Sequence, residues 1–334
     1  MLKDLVIGDM HFGVKSNNVT WLDQQVRFFN EQIFPLVESH DRVIILGDLF
    51  DVRYSVQQQV GYEVKNLIRR LSSMNKPVYI IAGNHDYYSP IIDFEKCNAY
   101  EVVFGEEFEM VHDNVHFITS APLLTDRTLM LPWYCTEDEE RYVQVTKEYR
   151  GQYDVIYCHT DLEHWPENKI ALKGDAVVYS GHIHYPWTNP QAGLYNIGAA
   201  CAFTFNDVNA ERYVYTICGK DITERHKNVT TPLFKRFYNE RVFTLQKEDT
   251  INSYVHLYIS KENIAKASYI ERIAEIKKTF PYLLMRVVQT DELFDSLTIG
   301  GADLSTNIHE YIHKNMPQHL QPKLEIIDNK LKEH

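Results

Sequence analysis

The chain has few cysteines and no apolar run long enough to cross a membrane. Its five cysteines among 334 residues are widely spaced, and none of them forms a C-x-x-C pair. This pattern argues against a disulfide framework and favours reduced, mostly buried thiols. The first residues enter an apolar run directly, without the features of a secretion signal. We therefore expect a cytoplasmic protein with no membrane segment.

Positive charge is also scarce. The chain carries 34 lysines and arginines against 46 acidic residues, which gives a formal net charge of −12 at pH 7. This balance argues mildly against nucleic-acid binding, which usually leaves a basic footprint. A site that held divalent cations would weaken the objection, because the ions bring their own positive charge to a phosphate. Net charge alone therefore does not decide the ligand.

The first part of the sequence alternates short apolar runs with amphipathic segments. The runs 2–9, 43–46 and 78–82 predict buried strands. Between them, 21–39 and 60–71 have apolar residues at helical spacing and predict helices. This rhythm indicates βαβ units and a largely parallel core. The second helix has two interpretations, a crossover helix packed on the sheet or a dimer contact.

Further strands are expected in the middle of the chain. Short apolar runs divided by turns over 108–133 predict a switch to antiparallel pairing. Buried strands follow at 154–158 and 177–180, and 196–205 and 212–218 are expected to close the core.

Polar side chains follow the strands at the points where the strands end. Open α/β sheets place their ligands at the carboxyl ends of the strands, so these groups are expected to converge. Each short motif alone is weak, because an isolated histidine at a strand end is usually structural. The residues concerned are Asp9, His11, Asp48, Asn84, His85, His159, His182 and His184.

Carboxylate, amide and imidazole donors without thiolates suit Mn²⁺, Fe²⁺ or Zn²⁺. The set is too large for one ion and fits two if one carboxylate, most naturally Asp48, bridges them. Two ions about 3.5–4 Å apart can clamp the attacking and leaving oxygens of a displacement at phosphorus and activate a water. We assign His85 to the leaving oxygen rather than to a metal, because it adjoins Asn84 and projects differently.

Several neighbouring residues have two interpretations each. Asp51 is either a second functional carboxylate or a cap of the next turn, and the cap is favoured. Asp86 is expected to support the loop or a histidine. Tyr87 and Tyr88 either stack on a nucleobase or sugar or pack under their loop.

The composition changes after Gly219. Residues 220–241 hold six basic and three acidic residues and predict a solvated linker. A contact with a phosphate backbone is the alternative. Residues 241–290 predict a small α+β unit in the order strand, strand, helix, strand, and 242–245 would be its first strand. The basic residues taken as candidate DNA contacts are Arg225, Lys227, Lys235 and Arg236.

Two helices are predicted in the tail, over 305–315 and 320–332. The apolar seam of the second one suits either a partner groove or the protein's own body.

Taken in order, five motifs resemble those of the calcineurin-like metallophosphoesterases. They are Asp9-x-His11, Gly47-Asp48, Gly83-Asn84-His85-Asp86, a lone His159 and Gly181-His182-x-His184. The second motif has the form Gly47-Asp48-Leu49-Phe50-Asp51. This form and the length of the chain resemble those of the SbcD-type DNA-repair nucleases. Those are the nuclease subunits of the bacterial SbcCD complex, with counterparts in eukaryotic double-strand-break repair and in tailed phages.

The resemblance implies a metallophosphoesterase β-sandwich flanked by helices, an α/β fold, over 1–225. A small α+β DNA-capping domain over 226–292 and a helical partner-binding segment over 293–334 would follow. The implied partners are DNA, a second copy of the chain and an SbcC-type coiled-coil ATPase. The implied cofactor is a pair of Mn²⁺ ions, with Mg²⁺ or another divalent ion as the alternative.

The resemblance also assigns individual roles. Asp9, His11, Asp48 and His184 would surround one Mn²⁺, and His85 would be the catalytic histidine that binds no metal. Two departures bear on substrate positioning. Asp51 stands where some relatives have histidine, and Gly198-Ala199-Ala200 replaces a Gly-Ser-Pro turn. The ligands implied for the second ion are Asp48, Asn84, His159 and His182.

The leading hypothesis is a Mn²⁺-dependent DNA exonuclease and endonuclease that acts in repair and recombination with an ATPase. One alternative is a metallophosphoesterase that acts on a small nucleotide or a phosphoprotein. Another is a non-catalytic scaffold of the same fold. A scaffold would have lost ligands, whereas every motif position is filled here.

Overall fold

The computed structural model describes residues 2–53, 55–88, 98–105, 108, 111–133, 138–163, 173–207 and 210–290. The chain divides into two compact units. The first comprises Met1–Lys235 with Asn252–Tyr254, and the second comprises Arg236–Ile251 with Val255–His334. Both predicted tail helices, and the whole segment 293–334, lie outside the described residues.

Two six-stranded sheets form the first unit. One has the order β12-β11-β1-β2-β3-β4, and the other has the order β5-β6-β7-β8-β10-β9 once the strands are numbered along the chain. The strands are β1 (Lys3–Ile7), β2 (Arg42–Ile45), β3 (Val78–Ile81), β4 (Val115–Ile118), β5 (Leu123–Thr125), β6 (Thr128–Leu131), β7 (Val155–His159), β8 (Val177–Gly181), β9 (Trp187–Asn189), β10 (Leu194–Asn196), β11 (Tyr213–Cys218) and β12 (Asp221–Lys227).

Parallel pairing dominates the middle of both sheets. Strands β1 to β4 are parallel neighbours, as are β6, β7, β8 and β10. Apolar side chains of both sheets meet in one cluster, which includes Ile44 and Ile81 from the first sheet and Met130 and Tyr157 from the second. The predicted α/β sandwich is thereby confirmed.

Helices flank this sandwich. They are α1 (Val14–Asn17), α2 (Val19–Phe28), α3 (Phe34–Val37), α4 (Gln58–Ser73), α5 (Ala99–Val103) and α6 (Glu139–Tyr149). The first of these is a short turn, in which Lys15, Ser16 and Asn17 have left-handed backbone angles. The predicted helix over 21–39 is interrupted by a π-helical turn at Phe29–Ile33. Pro35 has no N–H to donate, and the N–H of Phe34 bonds to the carbonyl of Phe29, five residues earlier.

Three expectations about strands were wrong in part. Among the described residues of the 108–133 region, antiparallel pairing is confined to β5 and β6, because β4 adds to β3 in parallel. The strand expected over 196–205 ends at Asn196. The supposed linker over 220–241 contains β12, which pairs with β11. Edge strands carry charged side chains that protect their exposed backbone, and this composition resembles that of a linker.

The second unit is built on a three-stranded sheet with the order β13-β14-β15. Its strands are β13 (Leu233–Tyr238), β14 (Ser253–Ser260) and β15 (Leu284–Thr290), and its helices are α7 (Arg241–Thr244), α8 (Lys261–Ile264) and α9 (Ala267–Thr279). The strand predicted at 242–245 is therefore wrong, since this segment is helical. Val242 and Leu245, three residues apart, are buried, whereas Phe243 between them is exposed, which is helical spacing.

Two expectations from the sequence concern the cysteines and the membrane. Among the described residues, Cys158 and Cys201 are buried free thiols and Cys218 is a half-buried one. None of the described helices is both long enough and apolar enough to span a bilayer.

Candidate metal centre

The predicted ligands lie together where strands of both sheets end. Asp9 follows β1, Asp48 follows β2 and Asn84 follows β3, all in the first sheet. His159 ends β7 in the second sheet, and the histidine pair of the last motif follows β8. Ligand atoms in three groups lie within 4.8 Å of one another, namely Asp9 with His11 and His184, His11 with Asp48 and His85, and Asp48 with His159 and His182.

Asp48 occupies the middle of this arrangement. Its Oδ1 accepts a hydrogen bond from the backbone N–H of His85 at 2.8 Å. Its Oδ2 lies 3.5 Å from Nε2 of His11 and 3.4 Å from Nε2 of His159. One carboxylate oxygen therefore faces both groups of donors, which is the position expected of a bridging ligand.

Asn84 joins the two histidines on one side of Asp48. Its Oδ1 lies 3.0 Å from Nε2 of His159 and 2.9 Å from Nδ1 of His182. Nδ1 of His159 must donate to the carbonyl oxygen of Leu46, 2.7 Å away, because that oxygen can only accept. In neutral His159 the Nε2 lone pair then faces the oxygens of Asn84 and Asp48. With His159 neutral, these three atoms are all acceptors and suit a cation between them.

Asp9 collects the other donors. Its carboxylate oxygens accept hydrogen bonds from the backbone N–H of His182 at 3.2 and 3.1 Å. Nε2 of His184 lies 3.8 Å from Oδ2 of Asp9 and 3.0 Å from Nε2 of His11. Two imidazole nitrogens and a carboxylate thus converge on one small volume.

The ionisable groups are shifted as such a cluster requires. Burial lowers the pKa of His159, but the charge of Asp48 and its hydrogen bond outweigh burial and raise that pKa to about 9. Burial raises the pKa of Asp48, yet the charges of His159 and His11 bring it below the usual range. The pKa of His184 is lowered by burial, and the charge of Asp9 opposes this effect. Negative charge at Asp48 is thereby favoured, and protonated His159 balances it; a bound cation would take the place of that proton.

Backbone strain is concentrated in the same residues. His11, Asp48 and His182 have φ angles of 47°, 47° and 82°, in the left-handed region that favours glycine. Such conformations cost energy and cluster at functional sites. Gly83 is needed for close approach, because a Cβ atom there would overlap the carboxylate of Asp48 and lie 2.8 Å from Cε1 of His159.

A backbone carbonyl orients His85, as another does His159. Its Nδ1 donates to the carbonyl oxygen of Asp51 at 2.6 Å, because that oxygen can only accept. Its Nε2 is therefore the ring nitrogen that can accept or give up a proton. The ring stands edge-on to that of His11, with centroids 4.8 Å apart.

For Asp51, the contacts agree with the less favoured of its two interpretations, a functional carboxylate. It was expected to cap a turn, but its carboxylate Oδ1 lies 3.2 Å from Nδ1 of His11. Among the described residues that nitrogen has no aligned hydrogen bond, so the contact is electrostatic. Burial lowers the pKa of His11, and the carboxylates of Asp51, Asp48 and Asp9 together raise it.

Asp86 supports the loops that carry the site, as one of its two interpretations predicted. It accepts hydrogen bonds from the backbone N–H groups of Gly83 at 2.8 Å and Phe50 at 3.1 Å, and from the hydroxyl of Tyr100 at 2.8 Å. Burial and the nearby charge of Asp48 raise the pKa of Asp86 to about 7. This carboxyl group ties the loop after β2 to the loop after β3.

A second support holds the loop of His184, and the motifs do not include it. The buried Arg212 donates to the backbone carbonyl of His184 and to the carboxylate of Asp207. The ring of Phe203 stands edge-on to those of His11 and His184, with centroid distances of 5.1 and 5.4 Å. Only the three-dimensional arrangement shows these roles, because the supporting residues are distant in sequence from the last motif.

The candidate DNA contacts lie in different environments. Tyr87 is buried, and its hydroxyl donates to the carbonyl of Thr119, so it packs under its loop. Tyr88 is 41% exposed. The basic candidates lie on strands rather than on a linker: Arg225 and Lys227 on β12, and Lys235 and Arg236 on β13.

A sandwich of two mixed sheets with a buried His/Asp cluster at their strand ends is the architecture of a phosphoester hydrolase that uses divalent metals. The family model described as calcineurin-like phosphoesterase matches residues 3–186, which is more than half of the chain. The chain therefore belongs to the calcineurin-like phosphoesterase family. No curated protein matches it.

The solved structures that are similar to the chain include the following two. Pseudomonas putida nuclease MPE is 16% identical with a TM-score of 0.29, and the match covers 56% of this chain and 64% of that one, less than two thirds of its length. A hypothetical protein from Thermus thermophilus is 13% identical with a TM-score of 0.39, and the match covers 68% of this chain and 98% of that one. We draw no conclusion about substrate from either.

The residues present fit divalent metal ions. Oxygen and imidazole donors predominate, and thiolates do not take part. With His159 neutral, the acceptors around Asp48 suit a cation, and the left-handed backbone at His11, Asp48 and His182 is of the kind that clusters at functional sites. The residues that would hold two ions are Asp9, His11, Asp48, Asn84, His159, His182 and His184.

Proposed function

We propose that this chain is a Mn²⁺-dependent DNA nuclease of the SbcD type. The observation that carries the proposal is the position of Asp48, whose Oδ2 lies 3.5 and 3.4 Å from Nε2 of His11 and His159. A carboxylate shared by two groups of donors suits a pair of ions and therefore chemistry at a phosphodiester. The form of the second motif, which ends in Asp51, supports the SbcD-type assignment over other members of the family.

The protein's own contribution to hydrolysis is positioning and proton transfer. When bound, two divalent ions supply positive charge for the attacking and leaving oxygens and activate water. The carbonyl of Asp51 holds Nδ1 of His85 as a donor, and when the ring is protonated Nε2 gives its proton to the departing oxygen and later regains one from solvent. Water adds across one P–O bond, and the products carry a phosphate and a hydroxyl.

The proposal extends to partners. A second copy of the chain would pack against α4 (Gln58–Ser73), whose Tyr62 is 64% exposed. A coiled-coil ATPase would bind the segment after residue 293. DNA would contact Tyr88 and the basic residues of β12 and β13. The protein would act on duplex ends as an exonuclease and within strands as an endonuclease, in DNA repair and recombination in the cytoplasm.

The test is digestion of end-labelled duplex DNA by the purified chain, with Mn²⁺ or Mg²⁺ and with EDTA as the blank. The same preparations are given a small chromogenic phosphodiester. We expect metal-dependent cleavage of both, fastest with Mn²⁺. Hydrolysis of the small diester but not of DNA, also with a co-purified ATPase present, would point instead to a small-substrate phosphodiesterase. Failure to bind Mn²⁺ at micromolar concentration would favour a scaffold.

A further inference from the structure

The three-stranded sheet of the second unit has one face packed on helices and one face that is partly open. In β14, Val255, Leu257 and Ile259 are buried in the cluster that includes residues of α7 and α9. His256 and Tyr258 alternate with them and are only half-buried. Because successive strand residues point to opposite faces, these two lie on the face away from the helices.

The neighbouring strands continue this face. In β13, Phe237 packs against the apolar cluster, so Arg236 and Tyr238 point the other way, and both are exposed. In β15, Met285 and Val287 pack against the same cluster, and Arg286 between them is exposed. We call the surface formed by Arg236, Tyr238, His256, Tyr258 and Arg286 the open sheet face.

Two tyrosines on this face form a flat aromatic surface. The rings of Tyr238 and Tyr258 are stacked, with centroids 5.1 Å apart and planes inclined by 19°. Tyr238 remains 43% exposed. His256 stands edge-on to Tyr258, with centroids 5.9 Å apart. An exposed aromatic stack on a rigid strand pair is a stacking platform for a base, since every base has a π-face.

The charge of the sheet contrasts with that of the whole chain. Strands β13, β14 and β15 contain no aspartate or glutamate, although the chain has a net charge of −12. Arg236 and Arg286 lie close enough to His256 that, after burial, their charges lower its pKa further. One arginine from each outer strand therefore lies on the same face as the aromatic pair, near His256, and guanidinium suits phosphate.

We propose that the open sheet face binds single-stranded nucleic acid, with bases stacked on Tyr238 and Tyr258 and phosphates bound by Arg286 and Arg236. A duplex would offer the same phosphates but keeps its bases stacked inside, so the tyrosines favour a single strand. The inference rests on the proposed nuclease function for the choice of DNA. It adds a site for the unpaired strand near a duplex end.

The test measures binding of the full-length chain to a fluorescein-labelled oligodeoxythymidine of about 20 nucleotides, long enough for a single-strand groove. Fluorescence anisotropy is recorded in EDTA, so that no cleavage occurs, and a duplex of the same length is compared. We expect Tyr238→Ala with Tyr258→Ala to weaken oligonucleotide binding by about 5- to 150-fold for each stacked base. Tyr238→Phe with Tyr258→Phe keeps both rings and should bind like the parent protein.

Charge is tested separately. Arg286→Gln should weaken binding and make it less dependent on salt, whereas Lys278→Gln, which removes an exposed charge from α9, should not. Phe243→Leu, at an exposed aromatic residue of α7, serves as the apolar control. The melting curve of each variant is recorded to show that it folds. If the alanine pair does not fold, the oligonucleotide binding of Arg286→Gln and of the phenylalanine pair tests the inference instead.

Three results would overturn the inference: no oligonucleotide binding by the parent protein, equal binding by a folded alanine pair, or a duplex bound equally tightly. The digestion assay distinguishes failure of this inference from failure of the proposed function. A chain that cleaves duplex DNA but does not bind the oligonucleotide refutes the open sheet face alone. A chain that binds the oligonucleotide but hydrolyses no phosphodiester refutes the nuclease alone.

Discussion

Asp51 contacts two histidines to which different roles are assigned. Its carboxylate Oδ1 lies 3.2 Å from Nδ1 of His11, and its carbonyl oxygen lies 2.6 Å from Nδ1 of His85. A carboxylate beside the outer nitrogen of a ligating histidine fixes the ring and raises its basicity. Asp51 therefore positions a candidate metal ligand with its side chain and the proposed proton donor with its backbone.

Replacement of Asp51 by asparagine should weaken metal binding. The backbone contact with His85 is unaffected, but the negative charge beside His11 is removed. Loss of such a supporting carboxylate typically costs about 10–100-fold in metal affinity. Mn²⁺ titration by calorimetry measures the change, and Asp23→Asn on the exposed surface is the matched control. Equal affinities of parent protein and Asp51→Asn would show that the contact is incidental.

Replacement of His85 by alanine should separate binding from catalysis. We assign His85 to proton transfer rather than to ligation, and the carbonyl of Asp51 holds its Nδ1 so that Nε2 is available for that role. We expect His85→Ala to retain its Mn²⁺ and to hydrolyse phosphodiesters about 10²–10⁴-fold more slowly. Asn84→Ala, one residue earlier, should instead lose metal. If His85→Ala loses metal to the same extent, His85 is a ligand.

The strands and the groups at their ends could be predicted because buried parallel strands are short apolar runs. Asp48 and His159 follow such runs directly, so their convergence follows from the rule on strand ends. The role of Asp51 could not be predicted in this way. The left-handed backbone at Asp48 turns the following loop back, and the carboxylate of Asp51 then reaches His11 instead of capping a turn.

Errors in secondary structure have a similar physical origin. Strand β12 is a charged edge strand and has the composition of a linker. The segment Val242–Leu245 is apolar enough for a strand, and only its tertiary contacts select the helix. Arg212 holds the loop of His184 through the carbonyl of that residue, and a contact with backbone leaves no pattern in the sequence.

Removal of the Asp86 carboxylate should destabilise the protein. Asp86→Ala leaves the N–H groups of Gly83 and Phe50 unpaired in a buried region, at a cost of about 1–3 kcal/mol each. Tyr100→Phe removes one hydroxyl hydrogen, which faces Asp86 at 2.8 Å and the carbonyl of Ile81 at 3.0 Å, and should cost about 1 kcal/mol. Thermal unfolding in EDTA should therefore rank the parent protein above Tyr100→Phe and Tyr100→Phe above Asp86→Ala. A reversed order would contradict the support role.

Two glycines should respond to alanine in opposite directions. A Cβ atom at Gly83 would overlap the carboxylate of Asp48, so Gly83→Ala should lose metal binding or fail to fold. Gly61 lies inside α4, where a Cβ atom would sit 3.5 Å from Val56, an ordinary contact. Gly61→Ala should therefore stabilise the protein by about 0.5–1 kcal/mol. Denaturant titration and Mn²⁺ calorimetry test both, and a well-folded Gly83→Ala that binds Mn²⁺ normally would show that the loop can move.

A pair of histidines away from the metal centre makes stability depend on pH. Nδ1 of the buried His40 donates to the carbonyl of Leu36, and its Nε2 lies 2.8 Å from Oγ1 of Thr216. Nε2 of His226 lies 2.8 Å from the same oxygen. Burial lowers the pKa of both histidines from 6.5, and the charge of Lys3 lowers each further. The folded protein therefore binds their protons less readily than the unfolded chain does.

The sign of the effect follows from that difference. A histidine whose pKa is lowered by folding stabilises the protein above its unfolded pKa, about 6.5, and this contribution is lost as the pH falls below it. Between pH 7.5 and pH 5.5 this pair should therefore lower the free energy of unfolding, by at most about 1.4 kcal/mol per pH unit for each histidine. Asp86, whose pKa is raised to about 7 in the folded protein, has the opposite effect over this range. The contribution of the pair is therefore read from the difference between the parent protein and His40→Gln in EDTA. His40→Gln keeps a donor for Leu36 and cannot titrate, so its free energy of unfolding should be lowered less over the same range. A slope equal to that of the parent protein would show that other groups cause the loss.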